Sequence, residues 1–207
     1  MAAIYGTIDF EAPTYSEAAL NGQDSWTSGG WSVTDTMFYE GAMCIMKTGS
    51  TDAYRHGTAR ADGRISFYAR RDSTSSGNLI LLLIEANDNQ AIYIIFNAAG
   101  LIRYDVSGNG SGAFVTLGTY STNTWYNIEC EWRDSDKKAR YRMDGGSWTD
   151  WQTVYNTFGL GPDNTYFYSS DTGTATQYLD YISEYPYGYS PGGTTERSKN
   201  TLLLGIS

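Results

Sequence analysis

The sequence predicts an all-β fold, a jelly-roll sandwich of two antiparallel sheets. Short runs of alternating apolar and polar residues recur along the chain, separated by clusters of Gly, Ser, Asn and Asp. No stretch sustains the 3.6-residue apolar period of a helix. Composition agrees: 18 Tyr favour pleated, half-buried surfaces and 23 Gly supply turns, against only 4 Pro. With 207 residues, 41% of them hydrophobic and 18% charged, the chain suits one large sandwich with its own core better than two domains.

Taken in order, the alternation places strands near residues 4–10, 30–34, 42–48, 64–71, 79–86, 90–96, 101–106, 113–118, 124–133, 137–143, 165–169 and 177–184. Asp72–Asn78, Ser107–Gly112 and Thr119–Asn123 read as loops by composition. So many short strands without helices imply two packed sheets. The segment Leu79–Phe96 stands apart: LILLLIEA and AIYIIF are nearly continuous apolar runs around Asn87-Asp88-Asn89. Such runs suit central strands covered on both faces.

One hairpin can be read residue by residue. Trp125–Arg133 and Lys138–Met143 flank the turn Asp134-Ser135-Asp136-Lys137. If Arg133 opposes Lys138, Glu131 meets Arg140 and Glu129 meets Arg142. The other face then pairs Trp132 with Ala139, Cys130 with Tyr141 and Ile128 with Met143. One face is charged and complementary, the other apolar. Each cross-strand pair contributes about 0.2–1 kcal/mol. A one-residue slip would put the apolar row in water, which pins the register.

Residues 1–189 form the predicted domain and residues 190–207 an extension. That extension is polar and Gly-rich, then ends in Leu202, Leu203, Leu204, Gly205 and Ile206. Burying one Leu is worth about 1.5–3 kcal/mol, so the apolar cluster seeks a groove. Either it straps its own sandwich, or it docks on a neighbouring subunit as an interaction arm. The second alternative implies a homo-oligomer or a place among virion subunits.

A net charge of −9 argues against nucleic acid and against anionic membranes. No apolar run reaches membrane-spanning length. Cys44 and Cys130 form no CxxC pair and sit in apolar alternation, where buried free thiols are expected; a disulfide between them is left open. No basic segment followed by an apolar run opens the chain, so no signal peptide is visible. Either a signal is missing from this sequence, or the protein is made in a cytoplasm and released by another route, as virions are.

Three motifs carry a family resemblance. Asp9-Phe10-Glu11 with Leu20-Asn21-Gly22-Gln23-Asp24-Ser25-Trp26 resembles the opening of concanavalin A-like (laminin-G-like) modules. Thr124-Trp125-Tyr126-Asn127-Ile128-Glu129-Cys130-Glu131-Trp132 resembles a central strand of that superfamily. Tyr178-Leu179-Asp180-Tyr181-Ile182 resembles its closing strand. The resemblance spans residues 4 to 184. It implies a concanavalin A-like jelly roll whose first and last strands pair, bringing Glu11 near Asp180. It also implies a structural Ca²⁺ where those strands meet, held by Glu11 and Asp180 with Asp9 nearby, unless these are plain solvent-facing acids.

The superfamily hosts lectins, hydrolases and structural modules, so function rests on the site. Its glycosidases carry an E-x-D-x-x-E strand; here only Glu129 and Glu131 share a face, and the predicted hairpin gives each an arginine. An arginine partner favours the ionised form, the wrong direction for a general acid. The single histidine, His56, falls in a polar segment read as a loop. No catalytic residue is assigned. Sugars stack on aromatic faces, and Trp148 and Trp151, with Asp150 and Gln152 beside them, are the carbohydrate-binding candidates. Trp26 and Trp31 flank Thr27-Ser28-Gly29-Gly30, and end plugs of the sandwich are the alternative for every Trp. By alternation, Trp125 shares the charged face with Glu129.

The functional expectation is a non-catalytic structural, decoration or surface-display protein of a virus particle, a bacteriophage, with glycans as a further partner. The alternative is a carbohydrate-binding module of a secreted or cell-surface protein. A polysaccharide-degrading enzyme ranks below both.

Overall fold

A computed structural model describes residues 7–56, 60–74, 77–85, 90–106, 113–154, 162–170 and 175–185. Fifteen strands run in chain order: β1 (Thr7–Ile8), β2 (Thr27–Ser28), β3 (Ser32–Thr34), β4 (Cys44–Thr48), β5 (Thr51–His56), β6 (Gly63–Arg71), β7 (Leu79–Glu85), β8 (Gln90–Phe96), β9 (Leu101–Asp105), β10 (Phe114–Thr119), β11 (Tyr126–Arg133), β12 (Lys138–Met143), β13 (Gln152–Thr153), β14 (Pro162–Ser169) and β15 (Thr176–Tyr185). One three-residue 3₁₀ turn, Gln23–Ser25, is the helical element among the described residues.

The strands form two antiparallel sheets. The first runs β13-β12-β11-β6-β15-β4-β3, with β1 added to β15. The second runs β10-β9-β8-β7-β14-β5-β2. First and last strands pair as the resemblance implied: Thr7 opposes Ser183 and Ile8 opposes Ile182.

The core lies between the sheets, and alternation fills it from both. Ile65, Phe67 and Ala69 of β6 and Ile128 and Cys130 of β11 face Leu79 and Leu81 of β7 and Ile92, Ile94 and Phe96 of β8. Tyr104 of β9 stacks on Tyr141 of β12 across the gap, centroids 4.2 Å apart. Trp26 and Trp31 are buried here, the plug alternative, and the Trp26 indole donates to the Tyr15 hydroxyl at 3.1 Å. Cys44 and Cys130 are both buried free thiols, which closes the disulfide question.

The β11–β12 register is the predicted one at all six pairs, Arg133 opposite Lys138 through Ile128 opposite Met143. Strands β7 and β8 are central, as their apolar runs required. Their outer face lacks a second layer among the described residues. Instead Ile95 is covered by the sheet's own Tyr93, Phe114, Tyr166 and Tyr168.

Three strands escaped the sequence reading: β2, β5 and β13. β5 reads TDAYRH and looks like a loop, because Ala53 is its one fully buried side chain. It is held by pairing with β14, from Thr51 opposite Ser169 to His56 opposite Asn164. His56 therefore ends a strand, its ring edge-on to Tyr54 at 5.5 Å, and is not a loop residue. The Ser107–Gly112 loop and the extension 190–207, with Leu202, Leu203, Leu204 and Ile206, lie outside the described residues, as does the domain boundary before it.

Strand β15 carries a bulge that shapes everything on the outer face of the first sheet. Asp180 opposes Tyr68 and Ser183 opposes Ser66, so β15 has one more residue than β6 over this span. Tyr181 takes a φ of 49° to accommodate it. A bulge shifts the in/out alternation by one. Leu179 and Ile182 are consequently both in the core although three residues apart, and Asp180 and Tyr181 are both left on the outer side.

Candidate functional site

The outer face of the first sheet holds a cleft of about 860 Å³ lined by Tyr39, Tyr68, Tyr181, Tyr185, Arg64, Ser66, Asn127, Glu129, Arg142, Asp144 and Ser183, with Gly145 at its edge. That volume falls in the range of small-ligand sites, about 300–1,000 Å³. Each floor residue comes from the outward half of a strand's alternation: Arg64, Ser66 and Tyr68 from β6, Asn127 and Glu129 from β11, Arg142 from β12. The bulge contributes Tyr181 and, by shifting phase, Ser183 and Tyr185.

One wall comes from the bend between β3 and β4. Tyr39 lies flat on Tyr68, centroids 3.5 Å apart and planes within 16°. Trp125 meets Tyr39 and Tyr178 edge-on, at 6.2 and 6.4 Å. Trp125 is thus on the charged face, as alternation predicted. Phe38 and Tyr39 are 41% and 43% exposed, an apolar rim open to a ligand.

Two carboxylates fasten this wall. Asp180 is fully buried and accepts from the backbone N–H groups of Tyr39 (2.8 Å), Glu40 (3.1 Å) and Tyr181 (2.7 Å). Burial pushes its carboxyl up to about 7, against those donors, and the Glu11 charge adds to the rise. Glu11 accepts from the N–H groups of Ala42 (2.6 Å) and Met43 (2.9 Å). Gly41, between Glu40 and Ala42, has a φ of 78°, and a Cβ there would collide with the Glu11 carboxylate. Only glycine fits both demands.

The resemblance brought Glu11 and Asp180 together correctly, but their oxygens hold backbone donors. Asp9 accepts from Glu11 N–H at 3.2 Å. Among the described residues no group of three or more acidic, His or Cys side chains could hold a metal ion. Glu11 Oε1 and Asp180 Oδ2 anchor the 39–43 bend, and Asp180 Oδ1 accepts from the Tyr181 N–H.

The floor is ionic. Arg64 and Arg142 each bond one oxygen of Glu129, and Arg140 Nε bonds Glu131 at 2.7 Å. The pairs Glu129–Arg142 and Glu131–Arg140 are those read from the hairpin. Arg64 joins from β6, a third partner that a two-strand reading cannot supply. The sequence reading treated these acids as surface groups; Glu129 and Glu131 are in fact 5% and 3% exposed. Burial and the neighbouring Arg142 charge push the Arg64 pKa down, and burial lowers Arg142 also.

The tryptophan candidates sit beside this floor. Arg64, Arg140 and Arg142 lie over the Trp148 ring at 5.4, 4.8 and 4.5 Å from its centroid. Arg133 and Arg140 lie over Trp151 at 4.0 and 4.6 Å. Guanidinium stacking occupies ring surface that a sugar would need, so both indoles read as half-buried cover for the arginine row. They are neither core plugs nor an open platform. Asp150 is exposed, and Gln152 donates to the Asp150 carbonyl at 3.0 Å. Neither indole lines the cleft; Tyr39, Tyr68, Tyr181 and Tyr185 do, and the sequence singled out none of them as a binding residue.

No family model and no curated protein matches the chain. Solved structures do. A sialidase superposes with a TM-score of 0.63 at 13% identity over 83% of this chain, which spans 18% of the sialidase's length. The carbohydrate esterase of the Shiga toxin-encoding bacteriophage phi24B gives 0.61 at 15% identity, covering 87% of this chain and 97% of that one. The carbohydrate-binding module CBM66 of Bacillus subtilis gives 0.52 at 11% identity, covering 78% and 95%. The chain has the concanavalin A-like fold. At these identities the likeness extends to the fold alone. The concanavalin A-like sandwich places the cleft on the outer face of one sheet, clear of the core that stabilises it.

Proposed function

We propose that this concanavalin A-like domain binds a glycan in the tyrosine-lined cleft, without catalysis, as a surface-display or decoration component of a bacteriophage particle. The carrying observation is the combination in one cleft of the Tyr39–Tyr68 stack with guanidinium, amide and hydroxyl groups from the sheet. Aromatic faces take the C–H side of a sugar ring, and the polar groups take its hydroxyls. The likeness to a bacteriophage carbohydrate esterase, of which 97% is covered, supports a phage source and a carbohydrate ligand. A non-catalytic role is supported by the acids: arginines occupy the Glu129 and Glu131 oxygens that a proton donor would use. His56 belongs to the other sheet.

The test is retention on a glycan array, with Tyr39→Ala and Tyr181→Ala as variants and thermal unfolding as the control for folding. Retention lost in folded variants supports the reading; a wild type that retains no glycan overturns it. Release of acetate from acetylated glycans, or of sugar from polysaccharide, would overturn the non-catalytic assignment. Immunodetection on purified particles tests the virion role, for which the 190–207 extension is the proposed docking arm. Deleting that arm should leave a folded monomer; aggregation of the truncated chain would assign the extension to its own core. A carbohydrate-binding module of a secreted or cell-surface protein is the second reading, favoured by the likeness to CBM66.

A further inference from the structure

We infer that the glycan is anionic, and that a sugar carboxylate seats on the outer edge of the Arg142 guanidinium. This rests on the glycan reading of the same cleft.

One guanidinium of the floor is only partly engaged. Arg64, Arg140 and Arg142 crowd over one indole, Trp148. Beside these three cations stand Glu129 and Glu131, with Asp144 a third carboxylate at the rim. Both Glu129 oxygens are in use, one by Arg64 and one by Arg142. Arg140 takes Glu131. Glu129 is therefore saturated, while Arg142 commits only its Nε. Its two terminal nitrogens have no protein partner among the described residues, and its side chain lines the cleft at 24% exposure. Asp144, the other acid at the rim, directs Oδ1 to the Asn127 N–H at 2.8 Å.

The remaining fork of Arg142 matches a carboxylate in shape, and such charge-assisted pairs are about twice as strong as neutral hydrogen bonds. Burial disfavours both guanidinium charges and Arg142 repels Arg64, and an incoming anion offsets that repulsion. The rest of the molecule is acidic, with a net charge of −9, and repels anions. An acidic sugar that reaches Arg142 also meets the Tyr39 ring, which lines the same cleft.

The experiment compares oligogalacturonate with its methyl ester, and sialyllactose with lactose, by calorimetry on the full chain. The ester keeps the ring and removes the charge. The expected result is an acid that binds at least about 10-fold tighter than its neutral counterpart, as a charged hydrogen-bond pair warrants. In Arg142→Gln the acid falls to the level of the ester, and Arg142→Lys, which keeps charge but not the fork, lies between. Acid and neutral forms bound alike by the wild type would overturn the anionic assignment and leave the glycan reading intact. Array binding restricted to neutral glycans would do the same. No glycan bound at all would overturn both. If Arg142→Gln does not fold, the wild-type comparison still decides.

Discussion

Replacing Glu129 by Gln removes one charge and almost no volume, so its effect isolates the buried ionic floor. Glu129 is 5% exposed and Arg64 6%, and the carboxylate holds both Arg64 and Arg142. Without it, three guanidiniums face Glu131 alone. Breaking a buried pair by removing one partner costs about 3–5 kcal/mol, chiefly because the other charge stays buried. For a domain of this size each kcal/mol lowers Tm by roughly 2–4 °C, so a fall of about 6–20 °C is expected by calorimetry. Asp136→Asn is the control: its pair with Arg133 is a third exposed on each side and should matter by about 1 kcal/mol or less. Replacing Glu129 by Leu and Arg64 by Met together should recover the part of the loss due to a stranded Arg64, while Arg142 still lacks its carboxylate. If Glu129→Gln costs no more than Asp136→Asn, the floor is solvated, and the reasoning about a saturated Glu129 and crowded guanidiniums fails with it.

Three further outcomes follow from the same geometry. Trp31→Ala, at a fully buried position, should cost about 3–5 kcal/mol in urea unfolding, whereas Trp148→Ala should cost less, about 1–3 kcal/mol, the scale of lost stacking on arginines; equal losses would place Trp148 in the core. Because burial raises the folded-state pKa of Asp180 to about 7, the folded chain holds this proton more tightly than the unfolded one. Its stabilising contribution is complete below the ordinary carboxylate range and is lost as pH rises through about 7. Asp180→Asn should flatten that part of the Tm-versus-pH curve, and an unchanged slope would refute the assignment. Chelator tests the calcium expectation: Tm should stay unchanged if the backbone donors alone hold Glu11 and Asp180, and a fall on chelation would place a cation there.

The parts of the molecule legible in the sequence are those where neighbours in space are neighbours in the chain. The β11–β12 hairpin is fixed by a four-residue turn and by strict alternation, so six pairs and two ion pairs could be read from it. Arg64 could not, because β6 reaches β11 across more than sixty residues. Strand β5 was hidden because a strand that buries only an alanine leaves no apolar row. The bulge at Tyr181 did leave a signal: Leu179 and Ile182 are three apart, which breaks a period of two inside an otherwise regular strand. The Trp148–Trp151 segment drew attention as an aromatic, polar stretch, but sequence cannot say that its rings rest on arginines from three other strands. Tyr39 was invisible as a site residue because a bend positions it, and that bend is set by Glu11 and Asp180 from opposite ends of the chain.

Asp180 shows where this fold departs from what stability alone would select. A fully buried carboxyl with its pKa raised to about 7 opposes folding at neutral pH relative to a neutral residue. Asparagine would keep an acceptor for the Tyr39 and Glu40 N–H groups without carrying a charge. Nearby, Gly41 gives up backbone entropy so that Glu11 can reach Ala42 and Met43, and Tyr181 adopts a left-handed φ that side chains rarely take. These three concessions lie within one patch, and all serve the same end. The bulge turns Tyr181 outward, while the two carboxylates press the 39–43 bend against the sheet so that Tyr39 covers Tyr68. A flat outer sheet would need none of them. Local departures of this kind persist where geometry matters more than stability, and here the geometry they produce is the aromatic wall of the cleft.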